Sequence, residues 1–447
     1  MHFLLPESVR MWFKLGMPRM KSSHEWALGF PAHFKSVVNP QAVGGMARQL
    51  GVRPRGKPKV TLHELMMVAV AHALAPSGDL AMHAEQILGK KISGSALSQR
   101  RQGLPWQLFE WMMERVLGPR AELGKHAEAF WRGYRLVGVD GTMFSARNTA
   151  GILGRLVKAA SRRMGAAFAK LRVVMLVELG THHPMAAVIG TGQEGELTLA
   201  ARLIGKVPEG CLLVADRLFG AGAFLVRFLQ QWASTRRDFL VRVSSTPKVE
   251  VLQVHGDGSA RVQIGARSEG QKFDLLVREI RGVIRRRDGK RAEIRLWTSL
   301  LDAQDYPATE LLRLYARRWE QEIAFKELKV QLQQGPLLDS QTVETAMQEM
   351  ASLIVAQALV ARVRMQAADS LDGQVLRISF AQVHQHVQMF WWISRYLGDT
   401  IPEKNIRAAA EAMLDTLATH ATPPRRARSC PRAIRQPVSG WPRLIHN

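Results

Sequence analysis

Three acidic residues stand where acid side chains do little for packing. Asp140 closes the apolar run LVGVD, Asp216 closes CLLVAD, and Glu322 lies in the charged stretch LLRLYARRWEQEIAFKELKV. Carboxylates gathered from element ends are what phosphodiester cleavage and transfer require. Two divalent ions a few ångströms apart activate the attacking oxygen and steady the leaving one. Magnesium takes few carboxylates and keeps positions for water and substrate oxygens. An aspartate ending an apolar run is ordinarily a turn or helix-capping residue, so neither aspartate decides the matter alone.

The stretch around Glu322 is more specific. At about 100° per residue, Tyr315, Arg318, Glu322 and Lys329 fall within an arc of about 60° on one helix face, whereas Glu320 and Glu327 lie well round from it. A carboxylate, a guanidinium, an ammonium and a phenol then point the same way. A solvated helix laced with i, i+4 ion pairs has the same composition, so the pattern still leaves both readings open.

The elements that must position these residues can be read from periodicity. YRLVGVDG, KLRVVMLVELG, PMAAVIG and CLLVADRLF are apolar runs bounded by turn residues, the pattern of strands in a mostly buried sheet. GELTLAARLIGKV and GAFLVRFLQQWAST have helical spacing, so strand and helix alternate as in α/β proteins. From about 238 to 300 the chain changes to alternating strands, with hairpin signals at Asp257-Gly258 and Asp288-Gly289. Helical periodicity resumes near 307 and runs past Lys329, and a second long helix covers 341–367. Residues 60–120 read as helices preceded by a basic arm, GVRPRGKPKV, which sets Arg53, Arg55, Lys57 and Lys59 among Gly and Pro. The tail, PPRRARSCPRAIRQPVSGWPRLIHN, has no amphipathic period and is expected to be irregular, ordering only on DNA.

The 447 residues carry 62 Lys and Arg against 38 Asp and Glu, a formal charge of +24, which points to a polyanionic partner. No stretch has the roughly 18 uninterrupted apolar residues of a membrane span, and MHFLLPESVR lacks the features of a signal peptide. A cytoplasmic protein with no membrane partner is expected. Cys211 and Cys430 form no zinc or disulfide spacing, and the histidines no HExxH pair, so neither residue type is assigned to a metal.

The spacing Tyr-x2-Arg-x3-Glu-x6-Lys at Tyr315, Arg318, Glu322 and Lys329 resembles the signature of the insertion-sequence-four family of transposases. VDGT at 139–142 is similar to that family's first-aspartate motif, and ADRLF at 215–219 to its second. The resemblance covers roughly 130–345 and loosely the flanks. It implies an α/β fold: an RNase H-like mixed sheet flanked by helices, with a β-rich insertion domain and a helical N-terminal domain. The corresponding divisions are 1–125, a helical DNA-binding domain; 126–237, the first part of the catalytic core; 238–305, the insertion; 306–370, the second part of the core with the Glu-bearing helix; and 371–447, a helical region with the basic tail.

The resemblance further implies that Asp140, Asp216 and Glu322 hold two Mg2+ ions, with Mn2+ a possible substitute, and that Tyr315, Arg318 and Lys329 contact DNA phosphates. The implied activity is cleavage at transposon ends and strand transfer into target DNA. The implied partners are double-stranded terminal inverted repeats and target DNA, bound by a dimer. Excision through a DNA hairpin is known among relatives and is implied as a hypothesis. Arg217 follows the second aspartate and is left outside the catalytic set.

Other features are weaker. Ser98, Gln99, Arg100 and Arg101 could open a recognition helix, and an ordinary surface helix is an equal reading. Trp297 could stack on an extruded base, although a core strand tryptophan is the more ordinary reading. VGVDGT also resembles the DxDGT loop of haloacid-dehalogenase-type phosphatases, but Gly138 stands where that chemistry needs its nucleophile. A non-catalytic transposase-derived DNA-binding protein is opposed by the complete acidic triad. An RNase H-like nuclease or resolvase is opposed by the Tyr-Arg-Glu-Lys spacing.

Overall fold

The computed structural model describes residues 25–423 apart from 53–55, 57, 159–165, 234, 245–246, 286–290 and 399. Arg53, Arg55 and Lys57 of the basic arm, the Asp288-Gly289 turn and the tail from 424 onward, including Cys430, lie outside the described residues.

One large mixed sheet, flanked by helices, organises the chain. Its main strands are β1 (Tyr134–Ala146), β2 (Lys170–Glu178), β3 (Pro184–Thr191), β4 (Cys211–Ala215), β5 (Arg237–Arg242), β6 (Glu250–Val254), β7 (Ala260–Ser268), β8 (Gln271–Arg285) and β9 (Arg291–Thr298). Their order across the sheet is β3-β2-β1-β4-β5-β9-β8-β7-β6. β2 and β3 run antiparallel to their neighbours, whereas β4 pairs parallel with β1 and β5 parallel with β4. The parallel strand β4 is buried along its whole length, which is why it reads as an unbroken apolar run.

The strands from 250 to 298 form a meander continuous with this sheet, because β9 pairs with β5. The boundary expected at 238 therefore falls inside β5, a strand that already belongs to the central sheet. One hairpin had no Asp-Gly signal: β7 and β8 join through Glu269 and Gly270, with φ of 51° and 80°. Two consecutive positive φ values make the tight turn whose twist matches the paired strands. Asp257-Gly258 does mark a turn, and Gly258 has φ 79°.

The helices that matter here are α1 (Leu62–Leu74), α2 (Gly94–Gln102), α3 (Ala308–Tyr315), α4 (Trp319–Lys326) and α5 (Val343–Ala367). Thr61 and Glu64 form a reciprocal capping box that starts α1. α5 is long and apolar enough to cross a membrane, but it is apolar on all sides because other helices enclose it. Residues of α1, α5, the helices flanking them in sequence and the inner side of β1 and β2 share one apolar cluster. The N-terminal helices thus pack on the C-terminal ones, so the divisions expected at 125 and 370 are not marked by separate cores. A second cluster covers the opposite side of the sheet with Leu199, Phe224 and Phe228, and a third is closed by α3.

Candidate active site

β1 carries Asp140 and β4 ends one residue before Asp216. The parallel register pairs Val139 with Ala215, so the two aspartates follow matched positions on adjacent strands. Asp140 Oδ1 accepts from the N–H of Gly141 at 2.8 Å, and Asp216 Oδ1 accepts from Leu218 at 2.8 Å, capping a short helical turn. The capping function that the aspartate type suggests is thus present at Asp216, at the same point as its approach to Asp140. Burial pushes the Asp140 carboxyl up to about 7, helped by the charges of Asp216 and Glu196 and opposed by the Gly141 N–H and Arg318.

The helix expected past 307 is not one regular helix. α3 tightens into a 3-10 turn at Ala316–Arg318, continues as α4, and widens into a π-helix at Glu327–Gln333. Each change shifts the angular phase, so the ideal arc computed for Tyr315, Arg318, Glu322 and Lys329 is not kept. Arg318 nevertheless donates from Nη2 to Glu322 Oε1 at 2.9 Å. Burial works against the charge of Arg318, yet Tyr315, Glu322 and Asp140 hold its guanidinium above its ordinary value. Tyr315 is buried, which pushes its phenol up to about 12 against the pull of Arg318 and Arg242. Lys329 donates to the backbone carbonyl of Met143 at 2.7 Å, three residues along from Asp140, and sits 5.0 Å from the Phe144 ring. Burial, with Lys170 nearby, lowers its ammonium below the usual lysine range.

Asp140, Asp216, Tyr315, Arg318 and Glu322 therefore form one electrostatic neighbourhood, with Lys329 anchored to the same strand. Gly138 allows α4 to approach. A Cβ there would lie 2.5 Å from Gln321 Oε1, 2.7 Å from Leu179 and 3.3 Å from Gln321 Cβ, so a larger residue would crowd the side chains through which α4 meets the strand.

Glu196 was missed by reasoning from motifs. Its Oε1 accepts from the same Gly141 N–H at 3.1 Å, and Arg172 pairs with its Oε2 at 3.4 Å. Burial raises its carboxyl, Arg172 opposes this, and Asp216 adds to it. No local pattern in GQEGELT gives it away, because its nearness to Asp140 is created by the sheet.

Several weaker expectations are corrected. Ser98 to Arg101 occupy the second half of α2, not its start. Arg101 is buried and donates to Gln348 and to the carbonyl of Thr345, and Arg100 donates to the carbonyl of Val60. Trp297 is buried in β9, in the second apolar cluster, and donates to Glu279 Oε2 at 2.9 Å, as a core strand tryptophan does. Arg217 is exposed beside Asp216, in a groove that also contains Lys248 and Arg267. Among the described residues, no three His, Cys, Asp or Glu side chains converge closely enough to hold a metal by themselves.

A family model described as "Transposase DDE domain" matches residues 131–359. The chain is 26% identical over 353 residues to the transposase InsG for insertion sequence element IS4 of Escherichia coli (strain K12), covering 77% of each chain. It is 24% identical over 141 residues to the putative transposase InsZ of the same organism, covering 31% of this chain and 47% of that one. Among solved structures it is similar to the cryo-EM structure of the piggyBac transposase synaptic complex with hairpin DNA, at 9% identity. That likeness covers 92% of this chain and 88% of that one at a TM-score of 0.42, too low to carry an argument.

Proposed function

We propose, on the premise that this chain belongs to the transposase DDE-domain family, that Asp140, Asp216 and Glu322 are the carboxylates with which it cuts transposon ends and joins them to target DNA. The chain is a DNA transposase; the residues and the course of the reaction are our reading. The observation that carries it is the matched placement of Asp140 and Asp216 on adjacent parallel strands, with Arg318, bonded to Glu322, close enough for its charge to act on Asp140. A finer fold assignment follows, an RNase H-like core built from β1 to β5. Its support is the order of two antiparallel strands, then β1, then two parallel ones.

The donor set suits a hard divalent cation such as magnesium. All candidate ligands are carboxylate oxygens, and the Asp140 carboxyl is raised by burial first and by the negative charge of Asp216 second. Magnesium completes its shell with water and substrate oxygens, so it needs few protein carboxylates. Asp140, Asp216 and Glu322 would hold magnesium, or manganese in its stead. The bound ions would activate the attacking oxygen and stabilise the leaving one.

The chain's own residues supply the rest. Arg318 offers a planar fork that can leave Glu322 for a phosphate, and Lys329 a point charge over the Asp140 strand. Tyr315, kept neutral by burial, remains a hydroxyl donor. Double-stranded inverted repeats and target DNA are the substrates under this reading, a dimer the acting unit and the cytoplasm its place.

The test is substitution with separate readouts of binding and cleavage. Asp140→Asn, Asp216→Asn and Glu322→Gln should each abolish strand cleavage of end-containing DNA while end binding persists, because a metal ligand stabilises the transition state more than it contributes phosphate affinity. Loss of binding together with cleavage would assign these residues to the fold instead.

A further inference from the structure

The turn between β2 and β3 carries His182, a non-glycine residue with φ 60° whose ring is completely buried. Both ring nitrogens meet carboxylates of the segment that bears Glu322. Nε2 lies 2.9 Å from Glu320 Oε2, and Nδ1 lies 2.9 Å from Glu327 Oε2. Arg364 of α5 closes the group, reaching Glu327 Oε1 at 3.2 Å and the carbonyl of Ile378 at 2.7 Å; its Nη1 also lies 3.4 Å from His182 Nδ1, longer than the 2.9 Å between that nitrogen and Glu327 Oε2.

A neutral imidazole has one N–H, and an ionised carboxylate can only accept. A ring placed between two carboxylates satisfies both only when both nitrogens donate, that is, as imidazolium. Burial alone would lower the histidine below its ordinary value, but Glu327 and Glu320 outweigh burial and Arg364 and hold it above. The glutamates bracket Glu322 along the helix, and Glu327 is the first residue of the π-helical turn. The clamp thus sits where the helix changes phase, and that phase sets where Lys329 falls relative to Glu322.

We propose that His182 is a positioning residue for DNA cleavage: a buried cation, donating to Glu320 and Glu327, that fixes the turns on both sides of Glu322 against the β2–β3 hairpin. The inference rests on the reading of Glu322 as a catalytic carboxylate. His182 touches neither DNA nor the reacting atoms, and it acts through the placement of Glu322 and Lys329.

Full-length His182→Gln tests it by three measurements: single-turnover cleavage of end DNA, the Kd for the same DNA, and 15N NMR of histidine-labelled protein with the variant assigning the His182 signals. The expected result is a cleavage rate lower by about 100-fold, the cost of misplacing a reacting group by roughly 1 Å, with Kd changed less than about twofold. Both ring nitrogens of His182 in the unmodified protein should show protonated shifts at pH 7.5. Normal cleavage by a folded His182→Gln, or a neutral His182 ring in the unmodified protein, overturns the proposal. If His182→Gln does not fold, the Glu320→Gln/Glu327→Gln pair replaces it, with the same loss of cleavage expected and normal cleavage again overturning the clamp. Glu322→Gln, run in parallel, separates the two ideas. An active Glu322→Gln removes the catalytic reading itself, whereas an inactive one beside an active His182→Gln removes only the clamp.

Discussion

Arg318 and Glu322 pair across one helical turn at 2.9 Å, and the charge of the same guanidinium lowers the carboxyl of Asp140, on a strand far earlier in the chain. The carboxylate proposed to complete the site is thus oriented by a cation whose charge also acts on the first aspartate.

Removing that cation should be costly. Arg318→Ala is expected to lower single-turnover cleavage by about 100-fold, since it removes both the partner that orients Glu322 and a preorganised positive charge. Arg318→Lys keeps the charge but not the planar fork, so it should recover only part of the rate. Full recovery by lysine would show that charge alone matters.

Glu196 shares the Gly141 N–H with Asp140 and adds negative charge beside it. Glu196→Gln can keep the hydrogen bond while losing the charge. Cleavage should then need a higher magnesium concentration and recover when magnesium is saturating. A magnesium titration curve that does not move would limit Glu196 to bracing the backbone.

Lys329 donates to Met143 in this structure. If its ammonium also neutralises a DNA phosphate, Lys329→Met should reduce the slope of log binding constant against log salt by roughly one and slow cleavage, whereas Lys329→Arg should keep most of the slope. An unchanged slope in Lys329→Met would confine this residue to tying the helix to β1.

His83 supplies a pH test away from the site. Its ring is completely buried, 5.2 Å from His72, and burial, then His72, lowers it to about 4. The folded protein binds this proton less readily than the unfolded chain does. Stability is therefore intact above the ordinary histidine value near 6.5 and falls as the pH drops from there through about 4. The loss from this residue is at most roughly 3 kcal/mol. Melting temperatures followed from pH 7 to 4 should fall less steeply in His83→Gln than in the unmodified protein, and parallel curves would rule the residue out as a source of acid sensitivity.

Some of this was legible locally. The runs ending at Asp140 and Asp216 read as strands because a strand buried on both faces must be continuously apolar, and β4 throughout and β1 over residues 136–139 are buried in this way. The positions from Tyr315 to Lys329 read as helical from their spacing, but the 3-10 and π-helical turns did not, because residue types do not encode a change of helix register imposed by packing. Arg101 read equally as part of a recognition helix or of an ordinary surface helix and is instead a buried donor to Gln348, since a side chain's polarity does not say whether another helix will cover it.

The chemical inventory is legible in the residues alone: the excess of positive charge, the acids at the ends of apolar runs, the Tyr-Arg-Glu-Lys spacing and the alternation of strand and helix. Which groups meet depends on the fold. The register pairing Val139 with Ala215 sets Asp140 beside Asp216, the absence of a side chain at Gly138 lets α4 lie close, and a buried turn carries His182 to both glutamates that flank Glu322. Local pattern follows from each residue's own backbone preferences and solvation, whereas these meetings depend on packing between segments far apart in the chain.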